Sequence, residues 1–235
     1  MKKNPYKYHN FDELVIGRAV WLYSRFTLSL RDVSEIMYER GTVVSYESIR
    51  QWNLKFGQLY ANEIKRRRAK RGDKWHLDEI CVVKNKKKYW VWHAVDEEGY
   101  ELEVLVQSRR NKKAALRLLK KLLKHCRYSP RVMITDKLKS YGAAKKEVMP
   151  DVEHRQHKGL NNRAENSHQP TRQKEKQMRG FKSHKHIQRI LYIIGQVRNL
   201  FYNGGRYKNL AATRRKLLNR SLYFWDNLVS QDYCI

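Results

Sequence analysis

Near the start of the chain, Phe11, Leu14, Val15, Ala19 and Leu22 recur at helical spacing and form one apolar face. The pattern Leu28-Ser29-Leu30-Arg31-Asp32-Val33-Ser34-Glu35-Ile36-Met37 predicts a second, short helix. Arg40-Gly41-Thr42-Val43-Val44 then reads as a turn, with glycine where a helix C-terminus favours one. Ser45 is placed to cap a third helix over Tyr46–Phe56. On it Ile49, Trp52 and Phe56 take core spacing, which leaves Tyr46, Glu47, Arg50 and Gln51 facing outward. Helix, glycine-bearing turn and helix match a helix-turn-helix unit, whose second helix would enter a DNA major groove. Short helical hairpins that bind nothing share this layout.

From Glu63 to Lys74 apolar residues almost vanish, and the segment reads as a basic connector containing Arg66, Arg67 and Arg68. Such a charge run is either a solvated face or a set of phosphate contacts. After Lys74 the period changes from helical to alternating. Trp75–Val83, Lys88–Val95 and Tyr100–Val106, separated by the turns at Lys84-Asn85-Lys86-Lys87 and Asp96-Glu97-Glu98-Gly99, predict a three-stranded antiparallel meander. Asn111 is placed to cap a helix reaching His125, with Ala115, Leu118, Leu119 and Leu122 inside and Lys113, Arg117, Lys120, Lys121 and Lys124 outside.

Then come a strand over Val132–Thr135, a short helix over Ser140–Val148, an edge strand over Asp151–Arg155 and a helix carrying Glu165. Three strands, helix, strand, helix, strand, helix is the order of an α/β ribonuclease-H-like fold, with a mixed five-stranded sheet and flanking helices. From Lys185 the pattern is helical again: Ile187, Ile190, Leu191, Ile194, Val197, Arg198 and Phe201 make one stripe, Asn203-Gly204-Gly205 breaks it, and Leu210–Val229 forms another helix. The expected division is a helix-turn-helix domain over 1–60, a linker over 61–74, the catalytic domain over 75–184 and a helical C-terminal region over 185–235.

Composition sharpens the class. The 235 residues are 41% hydrophobic, enough for a packed core. Lys and Arg number 51 against 23 Asp and Glu, a formal charge of +28. That balance points to nucleic acid as the partner. A ribosomal or histone-like binder would share it, but 6 Trp and 15 Tyr speak for aromatic packing, and the basic residues lie on patterned helices rather than in a tail. Cys81, Cys126 and Cys234 form no Cys-x-x-Cys pair, so reduced, buried thiols are expected rather than a zinc ribbon or disulfide framework. No apolar segment has signal-peptide or membrane-helix length, and the expected location is the cytoplasm, on DNA.

Three acidic residues stand where an acid is hard to explain structurally. Asp78 shares a strand face with His76, Ile80 and Val82, where a carboxylate is costly unless paired or metal-bound. Asp136 follows an apolar strand at its carboxyl end, where α/β sheets collect ligands, although an Asp there also caps helices. Glu165 opens a helix, where it also satisfies the helix dipole. Falling on the first strand, the fourth strand and the last helix of one fold, the three can converge on two divalent cations for phosphoryl transfer.

Glu79 points to the opposite sheet face from Asp78 and reads as an ion-pairing neighbour, not a ligand. Arg172, two turns beyond Glu165, falls on its face to grip a DNA phosphate, unless it is a solvent-facing Arg; Pro170 between them is expected to kink or restart the helix. His154, His157 and His168 lack the cysteine partners and spacing of a zinc site. Asn161 and Asn162 are cap residues that can also touch DNA.

Several blocks closely resemble the DDE transposases of the insertion sequence 6 family: Trp75-His76-Leu77-Asp78-Glu79, Thr135-Asp136-Lys137 with Ser140-Tyr141-Gly142, His154-Arg155-Gln156, and Leu160 to His168 continuing through Met178-Arg179-Gly180-Phe181-Lys182-Ser183. The likeness runs from the helix-turn-helix through Ser183. It implies that Asp78, Asp136 and Glu165 are the catalytic triad and that Arg172 matches the family's basic residue after the glutamate. It also implies a bacterial mobile element, terminal inverted repeats as binding sites, and Mg2+ as the natural metal, with Mn2+ able to substitute. The resulting expectation is a DNA transposase performing strand cleavage and strand transfer as at least a dimer, with the C-terminal helices as candidate contacts. Its rivals are a helix-turn-helix regulator without catalysis and a ribonuclease-H-like nuclease.

Overall fold

The computed structural model of the chain describes residues 4–67, 72–157, 159, 161–202 and 210–230. In chain order the elements are α1 (Glu13–Arg25), α2 (Leu30–Glu39), α3 (Tyr46–Arg67), β1 (Lys74–Lys84), β2 (Lys87–Asp96), β3 (Glu101–Gln107), α4 (Lys112–Cys126), β4 (Val132–Thr135), α5 (Lys139–Val148), β5 (Glu153–Gln156), α6 (Asn162–Gln177), α7 (His184–Phe201) and α8 (Ala211–Ser230). They group into two compact units, one of residues 1–68 with 196–235 and one of residues 69–195.

In the first unit α1, α2 and α3 each start on a side-chain cap. Asp12 accepts the Leu14 N–H at 2.7 Å, Ser29 and Asp32 bond each other's backbone N–H groups at 2.8 and 3.1 Å, and Ser45 accepts the Ser48 N–H at 3.1 Å. Gly41 ends the α2 turn at φ +79°, a conformation that favours glycine. The expected connector from Glu63 is corrected: α3 continues to Arg67. Tyr60, Ala61 and Ile64 extend its buried stripe, and buried Glu63 ties down Arg66 and Arg67, so tertiary packing and ion pairs overrule the low apolar content. The last helix, α8, buries Trp225, Leu228 and Val229 and packs on α1 and α3 of this same unit.

The second unit is built on a sheet of order β3-β2-β1-β4-β5, with β1–β2 and β2–β3 antiparallel and β1–β4 and β4–β5 parallel. Three leading antiparallel strands followed by two parallel ones make the ribonuclease-H-like arrangement. One sheet face packs Trp75, Leu77 and Trp92 against Leu118, Leu119 and Leu122 of α4 and Tyr141 of α5. On the opposite face α6 lies over β1 and β2. The open edge of β3 is paired by a side chain: Gln188 of α7 accepts the Val106 N–H at 2.8 Å and donates to the Val104 carbonyl at 3.0 Å, as a neighbouring strand would.

The expected break at Asn203-Gly204-Gly205 lies outside the described residues, as does Cys234. Cys81 and Cys126 form no disulfide among the described residues, and both are partly exposed rather than buried as expected. Among the described residues no helix is long and apolar enough to cross a membrane.

Candidate active site

The sheet register makes the site. Leu77 of β1 is paired with Thr135 of β4, and β4 stops there. The residue after each is an aspartate, so Asp78, midway along β1, and Asp136, just past the carboxyl end of β4, come out side by side. One oxygen from each of Asp78, Glu79 and Asp136 lies within 4.8 Å of the other two. This is the acidic cluster found among the described residues.

The three carboxylates differ in access. The side chains of Asp78 and Asp136 are 15% and 31% exposed, whereas that of Glu79 is fully buried. Asp78 Oδ2 accepts from His168 Nε2 at 2.9 Å, and the His168 ring meets the ring of His93 edge-on at 5.1 Å. Burial lowers the His168 pKa, partly offset by the hydrogen bond to Asp78, and so favours the neutral ring. Asp136 Oδ1 accepts the Leu138 N–H at 2.9 Å in a tight turn before α5, which leaves Oδ2 toward the cluster. Glu79 points to the α5 side, as strand alternation requires, and forms the expected ion pair: Arg110 Nε and Nη2 each stand 2.6 Å from Oε1. The fully buried Tyr141 donates its hydroxyl to Glu79 Oε2 at 2.8 Å. Burial pushes the Glu79 pKa up to about 7 against the lowering pull of Tyr141 and Arg110.

Glu165 is exposed on the first turn of α6 and is not in the cluster. Its helix is nonetheless anchored at the site, since His168, one turn on, holds Asp78, and Thr171 stands 3.4 Å from His93. Asn161, expected as a cap, makes no side-chain cap bond; its amide donates at 2.9 Å to the Leu77 carbonyl, where β4 no longer continues alongside β1. Asn161→Ala removes that buried bond and is expected to lower the unfolding free energy by about 1–2 kcal/mol, measured by urea denaturation of the full chain. Pro170 neither breaks nor restarts α6, which runs unbroken to Gln177, held by buried Ala164, Ser167, His168, Thr171 and Lys174. Arg172 is exposed and lies 3.3 Å from Glu175.

The other expected DNA contacts lie in the first unit. Tyr46 is exposed, with the Arg31 guanidinium over its ring at 5.5 Å. Arg50 and Gln51 both reach Glu47, at 2.6 and 3.3 Å. Arg66 and Arg67 turn back on Glu63, and Arg68 lies outside the described residues. His154 bonds Thr135 at 2.9 Å and is not part of the acidic cluster of the described residues.

Sequence reading missed Arg110, Tyr141 and the hold of His168 on Asp78. The Asp78-Glu79 doublet was the available signal: a second carboxylate entering the core-facing side of a strand demands a cation and a donor, and an Arg immediately before a helix cap is a natural source.

Two open carboxylates in an oxygen-rich setting fit a hard divalent cation. A family model described as a DDE domain matches residues 72–203. The transposase for the insertion sequence-like element IS431mec of Staphylococcus aureus is 32% identical over 171 residues, covering 70% of this chain and 75% of that one. The transposase for insertion sequence element IS257 in transposon Tn4003, also of Staphylococcus aureus, is 31% identical over 171 residues with the same coverage. Among solved structures, the catalytic core domain of BIV integrase aligns with TM-score 0.40 and 12% identity over 66% of this chain and 98% of that chain. The simian T-cell lymphotropic virus intasome, in complex with a PP2A regulatory subunit, aligns with TM-score 0.41 and 13% identity over 65% of this chain and 57% of that one.

Proposed function

This chain belongs to the insertion sequence 6 family of DDE transposases, and we propose that it binds the terminal inverted repeats of an insertion sequence and carries out metal-dependent strand cleavage and strand transfer. The observation that carries the reading is the Leu77–Thr135 register, which brings Asp78 and Asp136 together where β4 ends beside β1. Asp78 and Asp136, joined by Glu165 from α6, would hold Mg2+, for which Mn2+ can substitute. Metal held by these residues would supply Lewis-acid polarisation of the scissile phosphate and activation of the attacking oxygen, whether of water or of a 3′-OH.

The protein's own groups supply the rest. His168 fixes Asp78, the Leu138 N–H fixes Asp136, and α6 carries Glu165 and Arg172 two turns apart, with Arg172 directed to a DNA phosphate. Tyr46, Arg50 and Gln51 at the start of α3 read the repeat, and Arg66, Arg67 and Arg68 add backbone contacts. Two element ends must be held together, so the active form is at least a dimer, working on DNA in the bacterial cytoplasm.

A labelled duplex carrying the element's own terminal repeat, incubated with plasmid, tests this. Joined product with Mg2+ and none with EDTA is expected. Binding without metal-dependent cleavage or joining would make the protein a regulator, and cleavage without joining a nuclease.

A further inference from the structure

Glu79 admits two roles: a third carboxylate for metal, or the support for Arg110. Its environment separates them. Both oxygens are already engaged, Oε1 by the Arg110 fork and Oε2 by Tyr141, and the side chain has no exposed surface. Asp78 and Asp136 keep exposed surface for a ligand, and Glu79 does not. Arg110 is the reverse case. It comes from the short link between β3 and α4, its guanidinium lies on the Trp90 ring at 5.0 Å, and Nη2 is 3.7 Å from Asp136 Oδ2. The side chain is 37% exposed, and Nη1 makes no hydrogen bond among the described residues.

A guanidinium held on one edge by a buried carboxylate, stacked on an indole and open on its other edge is preorganised to bind an anion. The anion that comes to Asp136 in the proposed reaction is a backbone phosphate. We propose that Arg110 binds the scissile phosphate and that Glu79, itself held by Tyr141, is the positioning residue that aims it. This rests on the transposase reading of the site. Arg110 then complements Arg172: one approaches from the β3–α4 link, the other from α6.

The test is a charge-deletion cycle with the full-length protein and Ca2+, a larger cation that occupies oxygen sites without the tight octahedral geometry of Mg2+. Repeat duplexes carry either a normal phosphate or a neutral methylphosphonate at the scissile position. For the wild type, neutralising that phosphate is expected to weaken binding about tenfold, the scale of one charge-assisted hydrogen bond. Arg110→Gln is expected to bind the normal duplex about tenfold more weakly and to lose less than about twofold further on neutralisation. Arg110→Lys, which keeps the charge without the fork, should fall between them and guards against a folding defect in Arg110→Gln. Equal losses on neutralisation in wild type and both variants would overturn the proposal.

A second readout addresses Glu79 without DNA. Mn2+ binding by calorimetry should be within about twofold of wild type in Glu79→Gln, whereas loss of a metal ligand's support alone costs about 10–100-fold. A tenfold or greater loss would tie Glu79 to the metal site and overturn its role as a positioning residue for Arg110 alone. A wild-type protein that does not prefer the repeat duplex over a random one would fail the transposase reading itself, and Arg110 would lose its phosphate with it.

Discussion

Asp136→Ala is expected to lose joining of the repeat duplex to plasmid by on the order of a hundredfold or more, the scale of removing one preorganised group from a charged transition state, while duplex binding is expected to stay within about twofold of wild type. The separation follows from charge. Removing a carboxylate beside the site of a phosphate takes away repulsion and removes no DNA contact, so binding has no reason to fall. Under the proposed function, chemistry depends on the carboxylate pair created by the strand register and would lose one of its two open members. Glu165→Ala is expected to match Asp136→Ala, because α6 brings Glu165 to the same helix turn as the His168 that holds Asp78. Glu79→Gln should retain a measurable fraction of joining, since the amide keeps the place of the carboxylate in the core and weakens only the aim of Arg110. Gel assays of joined product alongside filter binding measure both quantities. Joining by Asp136→Ala above about a tenth of wild type would refute its assignment.

The second unit was legible because its signals are local and agree with one another. Alternation from Trp75, the Asn111 cap and the apolar run ending at Thr135 each dictate one element, and right-handed crossovers leave few ways to assemble them. The aspartate pair was legible for the same reason: Asp78 interrupts an apolar strand face and Asp136 directly follows an apolar strand. The partners of Glu79 were not. Arg110 is 31 residues away and Tyr141 is 62, and only the tertiary fold brings a β3–α4 link and a short helix to one carboxylate.

The first unit shows the opposite failure. Local composition declared Glu63–Lys74 a connector, but a helix ends where its packing ends, and Ile64 still has a buried place to go. Pro170 misled in the same direction: propensity favours a break, while five buried side chains along α6 hold the helix through it.

Trp225→Ala tests the less legible part of the chain, the destination of α8. Sequence pattern left the C-terminal helices as a separate region and as candidates for contact with a second copy. In the structure Trp225 is 3% exposed, its ring meets Tyr60 of α3 edge-on at 5.3 Å, and Phe201 lies at 6.3 Å. Nearby, Tyr6 bonds both the Tyr60 hydroxyl at 2.8 Å and the Val229 carbonyl at 3.1 Å. A Cβ on Gly17 would come within 2.6 Å of Val229, so α1 admits α8 only because that position is glycine. Truncating a buried Trp in such a setting costs about 3–5 kcal/mol, a large part of the 5–15 kcal/mol that holds a typical domain together. The expected result is an early unfolding transition confined to the first unit, with loss of repeat binding at temperatures where the sheet of the second unit remains intact. Denaturation followed at several protein concentrations decides between the two destinations. A midpoint independent of concentration is what packing within one chain requires. If the variant instead shifts only the dimer–monomer balance and leaves the first unit's transition where it was, the stripe of α8 belongs to an interface between copies.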